Sequence, residues 1–110
     1  MSLSLRIVLA GLKALTRLLC RIEDAPLKRV PARGPLIVVT NHTNILEVPL
    51  LYTHLWPRPV TCLVASYRWE SPFFRWLLDG TGMIALHRGE ADVTALRTAL
   101  ARLRRGEILI

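Results

Sequence analysis

Short apolar runs rich in valine and isoleucine alternate along this chain with stretches of helical periodicity, and that alternation restricts the fold more than any other feature. The run Leu36-Ile37-Val38-Val39-Thr40, introduced by Gly34-Pro35, has the length and β-branched content of a strand buried on both faces. From there the expected order is strand (about 35–40), helix (about 46–56), strand (about 59–65), helix (about 71–78), strand (about 83–87), helix (about 91–105) and the opening of a further strand. In the last helix Val93, Leu96, Leu100 and Leu103 share one face, arginines lie outside it, and Gly106 follows as a stop. Strands that take turns with helices are joined by crossovers, which makes the sheet parallel and covers it with helices. The fold class is α/β: a partial parallel or mixed sheet with alternating helices, preceded by an N-terminal basic amphipathic helix. Residues 1–34 form that helix and its linker, and residues 35–110 the sheet-bearing domain.

The first strand runs directly into Asn41-His42-Thr43-Asn44-Ile45-Leu46-Glu47. His42 is thereby expected at the carboxyl end of a central strand, the edge of an open α/β sheet where ligands bind. Imidazole is the side chain best suited to exchange protons near neutral pH, and a carboxylate behind it would fix its tautomer and stabilise its protonated form. Residues five apart on a continuous helix point about 140° away from each other, so one helix cannot pair His42 with Glu47. A turn after His42 and a helix beginning near Glu47 would bring them together. Pro49 fits that geometry, because proline is tolerated in a helix's first turn, where its missing N–H has no partner to lose.

Asn-His, four residues and an acid resembles the first motif of the glycerolipid acyltransferases, a family that includes the 1-acylglycerol-3-phosphate acyltransferases. The family's acid is usually aspartate; here it is Glu47, one methylene longer. A second stretch is similar to the family's Pro-aromatic-aromatic helix and the strand ending in Arg-Gly: Ser71-Pro72-Phe73-Phe74-Arg75-Trp76-Leu77-Leu78, then Gly82-Met83-Ile84-Ala85-Leu86-His87-Arg88-Gly89. His87 replaces a frequent aspartate, and a lysine common upstream of the aromatic helix is absent, with Arg68 the nearest cation. Leu103-Arg104-Arg105-Gly106-Glu107-Ile108-Leu109-Ile110 resembles the approach to a third motif, Phe-Pro-Glu-Gly-Thr. An apolar strand opening with no turn or polar cap behind it reads as the end of a fragment, the N-terminal part of an acyltransferase domain.

The resemblance implies direct acyl transfer from an acyl thioester, acyl-coenzyme A or acyl carrier protein, to the free hydroxyl of a lysophospholipid such as 1-acylglycerol-3-phosphate, in phospholipid biosynthesis. His42 would be the base and Glu47 its orienting acid. Arg88 and Gly89 would hold the acceptor's phosphate, with Asn41 and Thr43 in support, and neither metal nor cofactor would take part. On sequence pattern alone, without the resemblance, the favoured readings are a solvated strand-end arginine for Arg88 and a histidine capping a loop for His42.

Charge leads to a compatible place. Lys and Arg number 15 against 8 Asp and Glu, a net +7, in a chain that is 52% hydrophobic. Residues 1–34 hold seven of the basic and two of the acidic residues. A basic leader on an apolar chain points to anionic lipid. In the segment from Ser2 to Arg21, the cations Arg6, Lys13, Arg17 and Arg21 fall within a sector of roughly 80°, and leucines fill the rest. Lys13 divides the apolar stretch, so it lacks the ~18 uninterrupted residues of a membrane span, and no cleavage-like site follows. The expected location is peripheral or monotopic, on the cytoplasmic face of the cell membrane. The alternative is a helix that packs its leucines on the domain.

Other chemistries fit less well. His42, His54, Cys62 and His87 stand 12, 8 and 25 residues apart, which matches no short-range metal motif. Cys20 and Cys62 make no disulfide framework. Gly80-Thr81-Gly82 is a turn rather than a dinucleotide loop. Phe73, Phe74 and Trp76 could line an acyl-chain pocket or dip into lipid, yet aromatics at this spacing are more often core. Two rival functions remain: a catalytically impaired lipid-surface module, and a basic nucleic-acid binder, which is disfavoured because the charge sits beside leucines and not among exposed aromatics.

Overall fold

The computed structural model describes residues 1–41 and 46–110. Along them run α1 (Leu3–Leu19), a 3-10 turn (Ala25–Arg29), β1 (Leu36–Ile37), α2 (Glu47–Leu55), β2 (Val60–Thr61), β3 (Leu63–Ala65), a second 3-10 turn (Ser66–Glu70), α3 (Pro72–Gly80), β4 (Ile84–Leu86), α4 (Val93–Arg104) and β5 (Ile108–Leu109). The alternation of strand and helix is as expected, with shorter strands. Every strand pair is parallel.

The pairing follows the order β1-β5-β2 in one sheet and β3-β4 in a second. The stretch expected as one strand at 59–65 belongs to both. Val60 and Thr61 register with Ile108 and Leu109, whereas Leu63 to Ala65 register with Ile84 to Leu86. Around the change the ladder continues, since Thr61 O accepts from Ile110 N and Cys62 O from Ile84 N, each at 2.9 Å. All strands thus direct their carboxyl ends to one edge.

Two expectations are corrected here. β1 is an edge strand, not a central one buried on both faces: Ile37 is 59% and Val39 89% exposed. A β-branched run specifies extended backbone, but which strand lies beside it is settled by β5, whose residues come from the far end of the chain. In α4, Leu96 is 56% exposed and Val93 and Leu100 are exposed with it, while Ala99, at 1%, and Ala95 face the sheet. The small side chains let the helix backbone approach Ile84, with Leu63, Leu86 and Leu109 packed around. Two apolar faces competed on this helix, and close approach selected the alanines.

Alternation along β5 divides the interior. Ile108 and Ile110 join Tyr52, Leu55 and Val60 in one cluster, which Leu9 of α1 completes; Leu109 points to the α4 side. Helix ends follow local chemistry. Ser2 Oγ accepts from Leu5 N at 3.3 Å to start α1. Gly106, at φ +84°, ends α4 in a left-handed turn, its N–H on Leu103 O and that of Glu107 on Arg102 O, as expected for the stop there. α1 ends at Leu19, so Arg21 lies beyond the helix expected to carry it. At the opposite sheet edge the Arg58 guanidinium donates to the carbonyls of Pro31, Gly34 and Gly106 and ties the linker to the start of β5.

Candidate active site

β1 leads out through Val38, Val39 and Thr40 to Asn41, whose carbonyl accepts from Thr40 Oγ1 at 3.3 Å. His42 and Thr43 lie outside the described residues, and so does the pairing of His42 with Glu47. Glu47 itself is where the spacing required it, as the first residue of α2, with Pro49 in the same turn. An acidic residue in a helix's first turn is favoured by the positive end of the helix dipole.

The second candidate element follows β4. His87-Arg88-Gly89-Glu90 turns away from the sheet, and Gly89 sits at φ +83°, a conformation that L side chains rarely adopt. The turn is closed by Asp92, which starts α4. Its Oδ1 accepts from Ala95 N at 3.0 Å; its Oδ2 accepts from His87 N at 2.9 Å and lies 2.9 Å from His87 Nδ1. Nδ1 must therefore carry the hydrogen. The backbone N–H groups of His87 and Ala95, then the His87 ring, hold the Asp92 carboxyl down at about 2. Asp92 was not singled out by sequence reasoning, although an aspartate directly before a helical stretch is a known capping signal.

Between these elements lies a cavity of about 800 Å³. Thr40, Pro49 and Arg88 reach it from the strand end, the helix start and the turn just described; Tyr67 and Arg68 reach it from the segment after β3. The Arg68 guanidinium carbon stands 5.1 Å from the centre of the Tyr67 ring. Its apolar lining includes Leu9 and Leu12 of α1, Tyr52 of α2, and Phe74 and Leu77 of α3, beside Val38, Leu63 and Leu109 from the strands and their flanks. Phe73 and Trp76 are instead exposed, their rings tilted against each other, and Phe73 meets Phe74 edge-on. Cys62 also borders the cavity. Burial pushes its thiol above the ordinary range, as it does the Tyr52 hydroxyl, and so disfavours the thiolate form.

The other histidine considered for metal, His54, has Nδ1 2.9 Å from Leu50 O within α2, away from the cavity wall. Among the described residues no group of three His, Cys, Asp or Glu is gathered. No helix among them is long and apolar enough to cross a membrane. On α1, Arg6 is exposed, Lys13 half-buried, and Arg17 paired with Asp24.

Two carboxyl-edge arginines over an apolar hollow can hold a phosphate at the rim and an aliphatic chain within. Among known proteins, the family model described as acyltransferase matches residues 21–110. Neither a curated protein nor a solved structure gives a match to set beside it.

Proposed function

The chain belongs to the acyltransferase family, and from that premise we propose that it transfers a fatty acyl group from an acyl thioester to the free hydroxyl of a lysophospholipid such as 1-acylglycerol-3-phosphate. The observation that carries the reading is the convergence of Arg88 and Arg68 with the flanks of the His42–Glu47 segment, Thr40 and Pro49, on one cavity with apolar walls. An acceptor of this kind has a phosphate at one end and a chain at the other, and the cavity offers a counterpart to each.

In the reaction, His42 takes the proton of the acceptor hydroxyl as its oxygen attacks the thioester carbonyl. The C–S bond breaks, and the departing thiolate leaves as a thiol with that proton. Glu47 orients the imidazole and offsets its transient positive charge, while Asn41 and Thr43 support the loop. Arg88, on the turn that Gly89 permits, grips the phosphate with two parallel N–H donors. The donor is acyl-coenzyme A or acyl carrier protein, and the step needs no metal or cofactor. α1 lies at the cytoplasmic membrane surface, its outward Leu3, Ile7 and Leu18 among acyl chains and Arg6 and Lys13 near anionic headgroups.

The test is acyl transfer to 1-acylglycerol-3-phosphate by the full-length protein. His42→Ala is expected to lower kcat by the ~10²–10⁴-fold typical of a lost general base, and Glu47→Gln to lower it less. Turnover unchanged in both variants would remove the base from the mechanism. A protein that binds lipid vesicles but never turns over would instead be the impaired lipid-surface module.

A further inference from the structure

The turn that carries Arg88 is fastened by one carboxylate. Arg88 follows His87 directly, and its guanidinium sits at the end of a long, exposed side chain that borders the cavity. Such a group recognises phosphate well only if the backbone beneath it is fixed, because each freedom left to it must be given up on binding. Asp92 supplies the fixing. Its Oδ1 caps α4 through Ala95 N, which is all that a capping residue has to do. Its Oδ2 is surplus to that role. That oxygen takes both the main-chain N–H and the ring Nδ1–H of His87, at 2.9 Å each, and so joins the residue before Arg88 to the first turn of a helix seated on the sheet by Ala95 and Ala99.

We propose that Asp92, acting through His87, is a positioning residue that holds Arg88 over the cavity for the acceptor's phosphate. The proposal rests on the reading of Arg88 as the phosphate ligand. It also gives a purpose to His87: the imidazole turns a single backbone hydrogen bond into a two-point attachment, and Gly89 at φ +83° lets the chain bend back from it toward Asp92.

Asp92→Ser separates the two roles, since serine is a good helix cap but has one oxygen in place of two. In the full-length protein this variant is expected to stay folded at neutral pH, with a melting temperature lowered by loss of the His87 bonds, and to raise the KM for 1-acylglycerol-3-phosphate by roughly tenfold, the size expected for losing hydrogen bonds to a charged group. The KM for acyl-coenzyme A should stay the same, and kcat should change less than the acceptor KM. His87→Ala, which keeps the main-chain bond, is expected to give a smaller rise. In an Arg88→Ala background, Asp92→Ser should add nothing further. Amide hydrogen exchange at His87 and Arg88 should quicken in Asp92→Ser. An acceptor KM equal to wild type, an undiminished effect in the Arg88→Ala background, or unchanged exchange would each overturn the proposal. If Arg88→Ala by itself left the acceptor KM unaltered, the phosphate reading would fall and the functional claim for Asp92 with it; quickened exchange would then identify Asp92 as a fastener of the turn alone.

Discussion

Asp92 accepts hydrogen bonds from His87 N, His87 Nδ1 and Ala95 N, and the first consequence is its acidity. Its folded value, about 2, lies below the ordinary 3.8. The ionised form is the one stabilised, so its contribution is complete above the unfolded value and is lost as pH falls from about 4 toward about 2. Urea midpoints measured from pH 6 down to pH 2 should therefore drop less steeply for Asp92→Ser than for wild type; parallel curves would contradict the assignment. Arg88 makes a second residue-level test. Arg88→Lys keeps the charge but not the forked geometry, so the acceptor KM should rise several-fold, and rise further, by roughly 10- to 100-fold over wild type, in Arg88→Ala. Equal KM values across the three proteins would place the phosphate elsewhere.

Helix packing depends on which small residues face inward. A Cβ on Gly80, the last residue of α3, would come 2.5 Å from Leu5 Cδ2, and Leu5 is only 1% exposed. Gly80→Ala gains helix propensity, yet the crowding should dominate and cost about 1–3 kcal/mol in thermal unfolding. Combined with Leu5→Ala the same change should become neutral or favourable relative to Leu5→Ala alone, because the obstructing methyl is gone. The faces of α4 give the companion experiment. Ala99→Leu should destabilise by about 1–3 kcal/mol, whereas Leu96→Gln should stay within about 0.5 kcal/mol. Hydrophobic periodicity alone would anticipate the opposite, since it marks Val93, Leu96 and Leu100 as the inner stripe.

At the scale of the whole molecule, α1 has two dealings. Leu5, Leu9 and Leu12 turn toward the domain, and the last two border the cavity, while Leu3, Ile7, Leu15 and Leu18 are exposed. The side bearing Leu5, Leu9 and Leu12 is therefore packed on the domain, and the exposed side is the one proposed to meet lipid. Each basic residue near an anionic surface contributes about 1 kcal/mol, so Arg6→Glu with Lys13→Glu should weaken binding to phosphatidylserine-containing vesicles by more than tenfold. Arg17→Glu should matter less, because Arg17 is already paired with Asp24. Identical sedimentation with neutral and anionic vesicles would exclude the electrostatic part of this account.

What the sequence by itself determined is what a turn or two of chain can enforce. The alternation of strand and helix, Ser2 and Gly106 at helix ends, and Glu47 with Pro49 in the first turn of α2 all follow from neighbours in the chain. Only the tertiary structure decided the rest. It set β5 between β1 and β2 by joining residues 36 and 60 to residue 108, left β1 at an edge, and divided 60–65 between two sheets. It chose alanines over leucines on α4, and it brought Arg68 and Arg88 to one cavity. These outcomes depend on contacts between distant segments. A periodic pattern says that a face is apolar, but which surface covers it is decided by whichever distant partner buries the most area with its polar groups satisfied.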